Sequence, residues 1–196
     1  MLKISVDVSA DIYFLLGALE DGYLGCREVK GEHVVEFYQK NRRWLHGEVA
    51  KRLKRLGFNP KIRRYKRDYY RIVVYSKDLY TVLSDARKRL YMLLNGSSLE
   101  DERVLNYIQG LFDSDGAVHK KLARITLWSK DEKKLKVVKQ ILERAGMKCG
   151  KLIRSRHVYG LPLYGKANIL VFAEKIGFRH PVKKARLAGK GALAQP

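Results

Sequence analysis

The chain reads as an α+β fold of two similar halves, each with the element order αββαββα. Three observations predict this. Segments recur at a constant offset; helical and strand-like periodicities alternate in one order in both copies; and a large excess of positive charge is spread along the strand-like segments. YQKNRRWLHGEVAKRLKRLGF (38–58) aligns with WSKDEKKLKVVKQILERAGM (128–147), and YSKDLYTVL (75–83) aligns with YGKANILVF (164–172). The offset is 90 for Lys40 and Lys130, and 89 for both Gly57 and Gly146 and Lys77 and Lys166. Three separate anchors at one spacing imply duplication, so the chain divides into a first half at 1–95, a linker at 96–102, a second half at 103–178 and a basic tail at 179–196.

Each element follows from local pattern. Asp11 is the expected N-cap of an apolar first helix, IYFLLGAL, and strand-like stretches follow at about 23–29 and 33–39. A helix is expected over about 41–56, closed by Gly57, with Asn59-Pro60 turning the chain into strands at about 61–66 and 69–75. A helix over about 77–94 stops at Asn95-Gly96. The second copy predicts a helix at 102–114, strands near 117–121 and 123–129, a helix at 131–145, strands near 150–157 and 159–164, and a helix at 166–176. From Arg179 onward the Gly/Ala-rich basic segment reads as a loosely held tail.

With 46% hydrophobic and 31% charged residues over 196 positions, the chain can bury a core. Lys and Arg total 41 against 20 acids, a formal charge of +21 that opposes compaction and points to a polyanionic partner. Two cysteines, Cys26 and Cys149, make neither a disulfide framework nor a zinc site. No run approaches the ~18 apolar residues of a membrane span, and the N-terminus has no basic start or small-residue cleavage signal, so an intracellular, cytoplasmic protein is expected. Five Asn and four Gln beside abundant Lys, Arg and Glu point towards a thermophilic archaeal source.

Both halves open with an apolar helix that stops at acid-glycine: FLLGALEDG (14–22) and IQGLFDSDG (108–116). These two segments resemble the motif of the LAGLIDADG homing endonucleases, of the single-chain type with two copies. Gly110, Leu111, Asp113, Asp115 and Gly116 match the second motif, whereas Leu16 and Leu19 stand where the first motif's glycine and first acid belong. The resemblance covers most of the chain, because the αββαββα order around each motif is also similar to that family's fold. Small residues at Gly17, Ala18, Gly110 and Ser114 let two such helices approach closely and bring Asp21 and Asp115 together at their ends. Carboxylates at helix C-termini face a negative dipole and repel each other, which a hard divalent cation, Mg²⁺, relieves by binding them with the end carbonyls of Glu20 and Ser114. Glu20 is the substitute acid if the first motif is shifted by one residue. Asp113 reads as a structural hydrogen-bonding residue at the helix end.

The segment KIRRYKRDYYRIVVY (61–75) alternates so that Lys61, Arg63, Tyr65, Arg67, Tyr69 and Arg71 share one strand face, as a β-ribbon in a DNA major groove requires. Arg27, Lys30, Lys120, Lys121, Arg124, Arg154, Arg156 and His157 extend the basic set over the other hairpins. The resemblance further implies that residues at the end of each second strand act around the metals, namely Gln39 with Lys40 and Ser129 with Lys130. It implies a monomer whose two antiparallel sheets form a saddle over a long asymmetric double-stranded DNA site. It implies Mg²⁺-dependent hydrolysis of one phosphodiester per strand, and, with no splicing domain in view, an intron reading frame. An RNA maturase, or a DNA-binding regulator of the same fold that does not cut, stays open as an alternative.

Overall fold

The computed structural model of the chain describes residues 6–27 and 31–192. The first half runs α1 (Val6–Ala18), β1 (Tyr23–Arg27), β2 (Glu32–Gln39), then one helix built of α2 (Arg42–Trp44), a π-wound stretch (Leu45–Ala50) and α3 (Lys51–Arg55). It closes with β3 (Ile62–Lys66), β4 (Tyr69–Tyr75) and α4 (Lys77–Gly96). The second half runs α5 (Glu102–Asp115), β5 (Gly116–Val118), β6 (Arg124–Ser129), α6 (Glu132–Arg144), β7 (Ile153–Ser155), β8 (Val158–Tyr164) and α7 (Lys166–Lys175), followed by α8 (Pro181–Ala192).

The duplication read in the sequence is a duplication of topology. Both sheets are antiparallel and four-stranded, with orders β1-β2-β4-β3 and β5-β6-β8-β7. Gln39 pairs with Tyr70 in one sheet and Ser129 with Tyr159 in the other, at equivalent ends of β2 and β6. The next helix is capped alike in both halves: Asn41 accepts from the Trp44 amide and Asp131 from the Lys134 amide. Both of those helices end at a left-handed glycine, Gly57 at φ 88° and Gly146 at φ 90°.

The halves meet along α1 and α5. A Cβ on Gly17 would land on the Tyr107 carbonyl oxygen, and one on Gly110 would land on the Phe14 carbonyl oxygen. Only glycine at both positions lets the two backbones touch. Phe14, Leu15, Tyr107, Ile108, Leu111 and Phe112 surround this crossing without solvent exposure, within one core that spans both halves. Burying each such side chain stabilises the fold by roughly 1.5–3 kcal/mol.

Four expectations need correction. Asp11 is not an N-cap: α1 starts earlier, and the Asp11 carboxylate is buried against Arg52 at 3.3 Å and Arg55 at 2.7 Å. β5 stops at Val118 because the His119 ring accepts from the Lys121 and Leu122 amides at 3.2 and 2.9 Å and turns the chain. β7 is confined to three residues, since Gly150 instead donates to the Pro162 carbonyl at 2.9 Å outside the regular ladder. The supposed loose tail is helix α8, pinned at its start by Asp113 and near its end by Lys190, which donates to the Lys120 carbonyl at 2.7 Å. Among the described residues no helix is long and apolar enough to cross a membrane.

Candidate active site

Two helix ends converge, and they are built differently. α5 stays helical through Asp115, whereas α1 leaves the helix after Ala18 and reaches Gly22 through a turn in which the Gly22 amide donates to the Leu19 carbonyl at 2.8 Å. The crossing glycines lie 93 residues apart (17 and 110), but the terminal aspartates lie 94 apart (21 and 115). Gly17 therefore does structurally what Gly110 does, and the first motif is one residue short rather than lacking its glycine. Leu16, which an ungapped alignment places opposite Gly110, is an ordinary buried side chain, 3% exposed. The turn takes up the missing residue and still brings Asp21 to the same place as Asp115.

Asp21 and Asp115 line one cavity of about 250 Å³, together with Glu20, Trp128, Ser129, Lys130, Asp131, Lys134 and Val158. Burial, with Asp21 and Glu20 opposite, pushes the Asp115 carboxyl up to about 7, against the opposing pull of Lys183 and Lys134. Partial burial also raises Asp21, opposed by Lys183 and Lys130. The site thus holds more negative charge than its solvation supports, which is the condition that a cation relieves. Among the described residues no cluster of three or more His, Cys, Asp and Glu side chains forms a ready metal cage. Two carboxylates with helix-end carbonyls, leaving places for water and phosphate, are the open set a hard divalent ion accepts.

The remaining acids are already engaged. The Glu20 carboxylate receives both contacts from Lys134 Nζ, each at 2.7 Å. Asp113 is a structural hub, fully buried and pushed up to about 6 by that burial. Its Oδ2 accepts from Trp44 Nε1 at 2.9 Å, and its Oδ1 accepts from the Arg179 and His180 amides at 3.0 Å each. The buried His180 beside it is pulled down to about 4.

The two strand-end lysines differ. Lys130 lines the acidic cavity; Lys40 sets its ammonium 5.1 Å from the Tyr69 ring centroid, and Gln39 accepts from the Lys40 amide at 2.8 Å. Neither Gln39 nor Lys40 lines the cavity. A third lysine is nearer to the helix end than either. Lys183 of α8 donates to the carbonyls of Phe112 at 3.1 Å, Asp113 at 2.6 Å and Ser114 at 2.9 Å. Its burial lowers it to about 8, with Asp113, Asp115 and Asp21 pulling the other way. In the sequence the only signal for this segment is Pro181, a favoured first residue of a helix.

The open face of the first sheet carries most of the expected basic set. Arg63 pairs across the strands with Arg71, and Lys61, Arg63 and Arg71 line a shallow groove with Asn59, Val73 and Tyr75. Tyr65 sits between Tyr38, at 4.9 Å between ring centroids, and the Arg71 guanidinium, at 5.1 Å. Arg27 is tied to the buried Glu36 at 2.9 Å, and Arg67 lies in the β3–β4 turn, where its carbonyl accepts from Arg64 at 3.0 Å. Lys30 lies outside the described residues. The second sheet is poorer in charge. Arg124 and Trp128 share its open face with Tyr164, but Arg154 pairs with Tyr159, on the parity of the buried Leu161 and Leu163. Lys120, Lys121, Arg156 and His157 are exposed in turns, Arg156 with a left-handed φ of 53°.

Residues 102–177 match the family model of a LAGLIDADG-like domain. The chain is 31% identical to homing endonuclease I-ApeI of Aeropyrum pernix, over 90% of this chain and 85% of that protein. Its fold is similar to that of mesophilic variants of the homing endonuclease I-DmoI, with a TM-score of 0.71 at 24% identity over 87% of this chain and 96% of that one. It is also similar to I-DmoI in complex with DNA and Ca, with a TM-score of 0.70 at 26% identity over 86% of this chain and 90% of that one.

Proposed function

The chain belongs to the LAGLIDADG homing endonucleases, and from that premise we propose that it binds a long asymmetric double-stranded DNA site as a monomer and hydrolyses one phosphodiester on each strand with Mg²⁺. The observation that carries this reading is the meeting of Asp21 and Asp115 in one cavity, at the ends of two helices whose backbones cross at Gly17 and Gly110. The residues present fit a divalent ion. Burial, with Asp21 and Glu20 opposite, pushes the Asp115 carboxyl up, and the chain itself supplies a stand-in cation, Lys183 Nζ, on the Ser114 carbonyl. Asp21 and Asp115, with the carbonyls of Glu20 and Ser114, would hold the metal.

When bound, such an ion neutralises charge on the scissile phosphate and eases deprotonation of the attacking water. The chain's own residues do the rest. Lys130, beside Asp21 in the cavity, stabilises negative charge developing on the phosphoryl oxygens. Gln39 and Lys40 hold the equivalent place in the other half and approach the second strand. The groove of Lys61, Arg63 and Arg71, with Arg124 on the second sheet, takes the phosphate backbone, while Tyr65 and Tyr69 add stacking surface.

The test is plasmid cleavage, with and without Mg²⁺, on DNA carrying the intron-less allele of the host gene. Wild-type protein is expected to linearise the plasmid only with the ion. The Asp21→Asn, Asp115→Asn double variant is expected to bind the site and cut at least ~10³-fold more slowly. Wild-type cutting by that variant would falsify the site assignment; binding without any cutting by the intact protein would favour the maturase or regulator instead.

A further inference from the structure

Lys183 is a lysine in the wrong place for its own helix. It sits in the first turn of α8, where the helix dipole is already positive and a cation is disfavoured. Its ammonium is directed across to the C-terminal end of α5, where the dipole is negative; the Phe112 carbonyl there also accepts from the Gly116 amide, and those of Asp113 and Ser114 lie beyond it in the last turn. There it meets three acceptors, the carbonyls of Phe112, Asp113 and Ser114, at 2.6–3.1 Å. An ammonium has three N–H donors, so all of them are used by backbone and none is left for a phosphate. The Arg179 and His180 amides on the Asp113 carboxylate anchor the two residues just before α8, and the Lys183 ammonium fastens the first turn itself.

One of the three acceptors, the Ser114 carbonyl, adjoins Asp115. A divalent ion bound by Asp115 and that carbonyl would stand against the ammonium, and two cations at such range repel. We propose that Lys183 is a tethered counter-ion, a positioning residue that holds the end of α5 in the metal-free protein and that the divalent ion displaces from the Ser114 carbonyl. This inference rests on the proposed metal site and adds a regulation of it: ion binding is coupled to release of the first turn of α8. The arrangement keeps the helix end ordered until an ion arrives. It does so by lowering the ion's affinity, so occupancy follows metal supply over a higher concentration range.

The experiment is Mn²⁺ binding to the full chain without DNA, read from the paramagnetic resonance signal of free Mn²⁺, for wild type and Lys183→Met. The variant is expected to bind Mn²⁺ at least about tenfold more tightly, because the ammonium that repels the ion is gone. Equal or weaker binding overturns the proposal while leaving the metal site intact. Absence of Mn²⁺ binding in both proteins overturns the metal reading beneath it. If Lys183→Met does not fold, hydrogen exchange of the wild type decides. Adding Ca²⁺ is expected to lower the protection of amides 182–186, and unchanged or increased protection overturns the displacement.

Discussion

The two halves share a topology down to strand register, yet they solve the same problem at their helix ends by different means. In the second half α5 carries its aspartate on the last helical residue, and a lysine from α8 closes the carbonyls behind it. In the first half the helix stops one residue past its crossing glycine and a turn delivers Asp21, with Glu20 held aside by Lys134. The sheets diverge as well, the first presenting a dense basic and aromatic face and the second a sparser one. Duplication preserved what the packing demands, which is the glycine crossing and the caps. It left free what only the ligand sees.

The comparison can be broken most severely at the crossing. Gly17→Val and Gly110→Val should each cost at least ~3 kcal/mol, read by denaturant unfolding, because each Cβ meets a backbone atom that cannot move aside. Leu16→Gly tests the rival alignment. If Leu16 were the counterpart of Gly110 the change would be tolerated, whereas a buried leucine removed from a helix should cost about 3–5 kcal/mol.

A smaller effect separates the two aspartates. The Asp115 carboxyl titrates near 7 in the fold, against an ordinary 3.8, so the folded state holds a proton that the unfolded chain releases. Stability from this group is complete below pH ~4 and is lost as pH rises through 7. Asp115→Asn should therefore match wild type in melting temperature near pH 4 and exceed it at pH 8 in chelator, by on the order of 1–3 kcal/mol. Mg²⁺ should close the gap by stabilising wild type alone. Asp21→Asn should show the same sign with a smaller gain, since Asp21 is exposed. A melting temperature that rises with pH between 4 and 7 in wild type but not in Asp115→Asn would reverse the account.

The smallest effect concerns the sheets. Arg63→Ala and Arg71→Ala should each reduce the slope of log affinity against log salt by about 0.9, the signature of one lost phosphate contact. Arg154→Ala should leave the slope unchanged, because Arg154 lies on the other parity of its sheet. Equal effects from all three would mean that the two sheets contact DNA alike.

Much of this was legible in the sequence, for a physical reason: periodicity and helix-closing glycines are local, and Gly57 and Gly146 act within a few residues of where they stand. The caps Asn41 and Asp131 were not read, and Asp11 was read as one in error. Asp113 as a structural hydrogen bonder was legible too, although its partners Trp44, Arg179 and His180 were not. What failed was whatever depends on distance along the chain. The one-residue gap after Gly17 is invisible to an alignment anchored on Asp-Gly, since only the crossing reveals which residues are equivalent. The role of Lys183 is a contact across about 70 residues, and the Gly/Ala-rich composition of its helix hides it. Arg154 stands in a strand, β7, that is shorter than its sequence pattern, and pairs with Tyr159.

The central claim is that one divalent ion is shared by Asp21 and Asp115. Anomalous diffraction from crystals of the protein with target DNA and Mn²⁺ tests it directly. The account predicts a peak within about 2.0–2.6 Å of a carboxylate oxygen from each aspartate. Peaks bound to one aspartate alone, or none in the cavity, would contradict it.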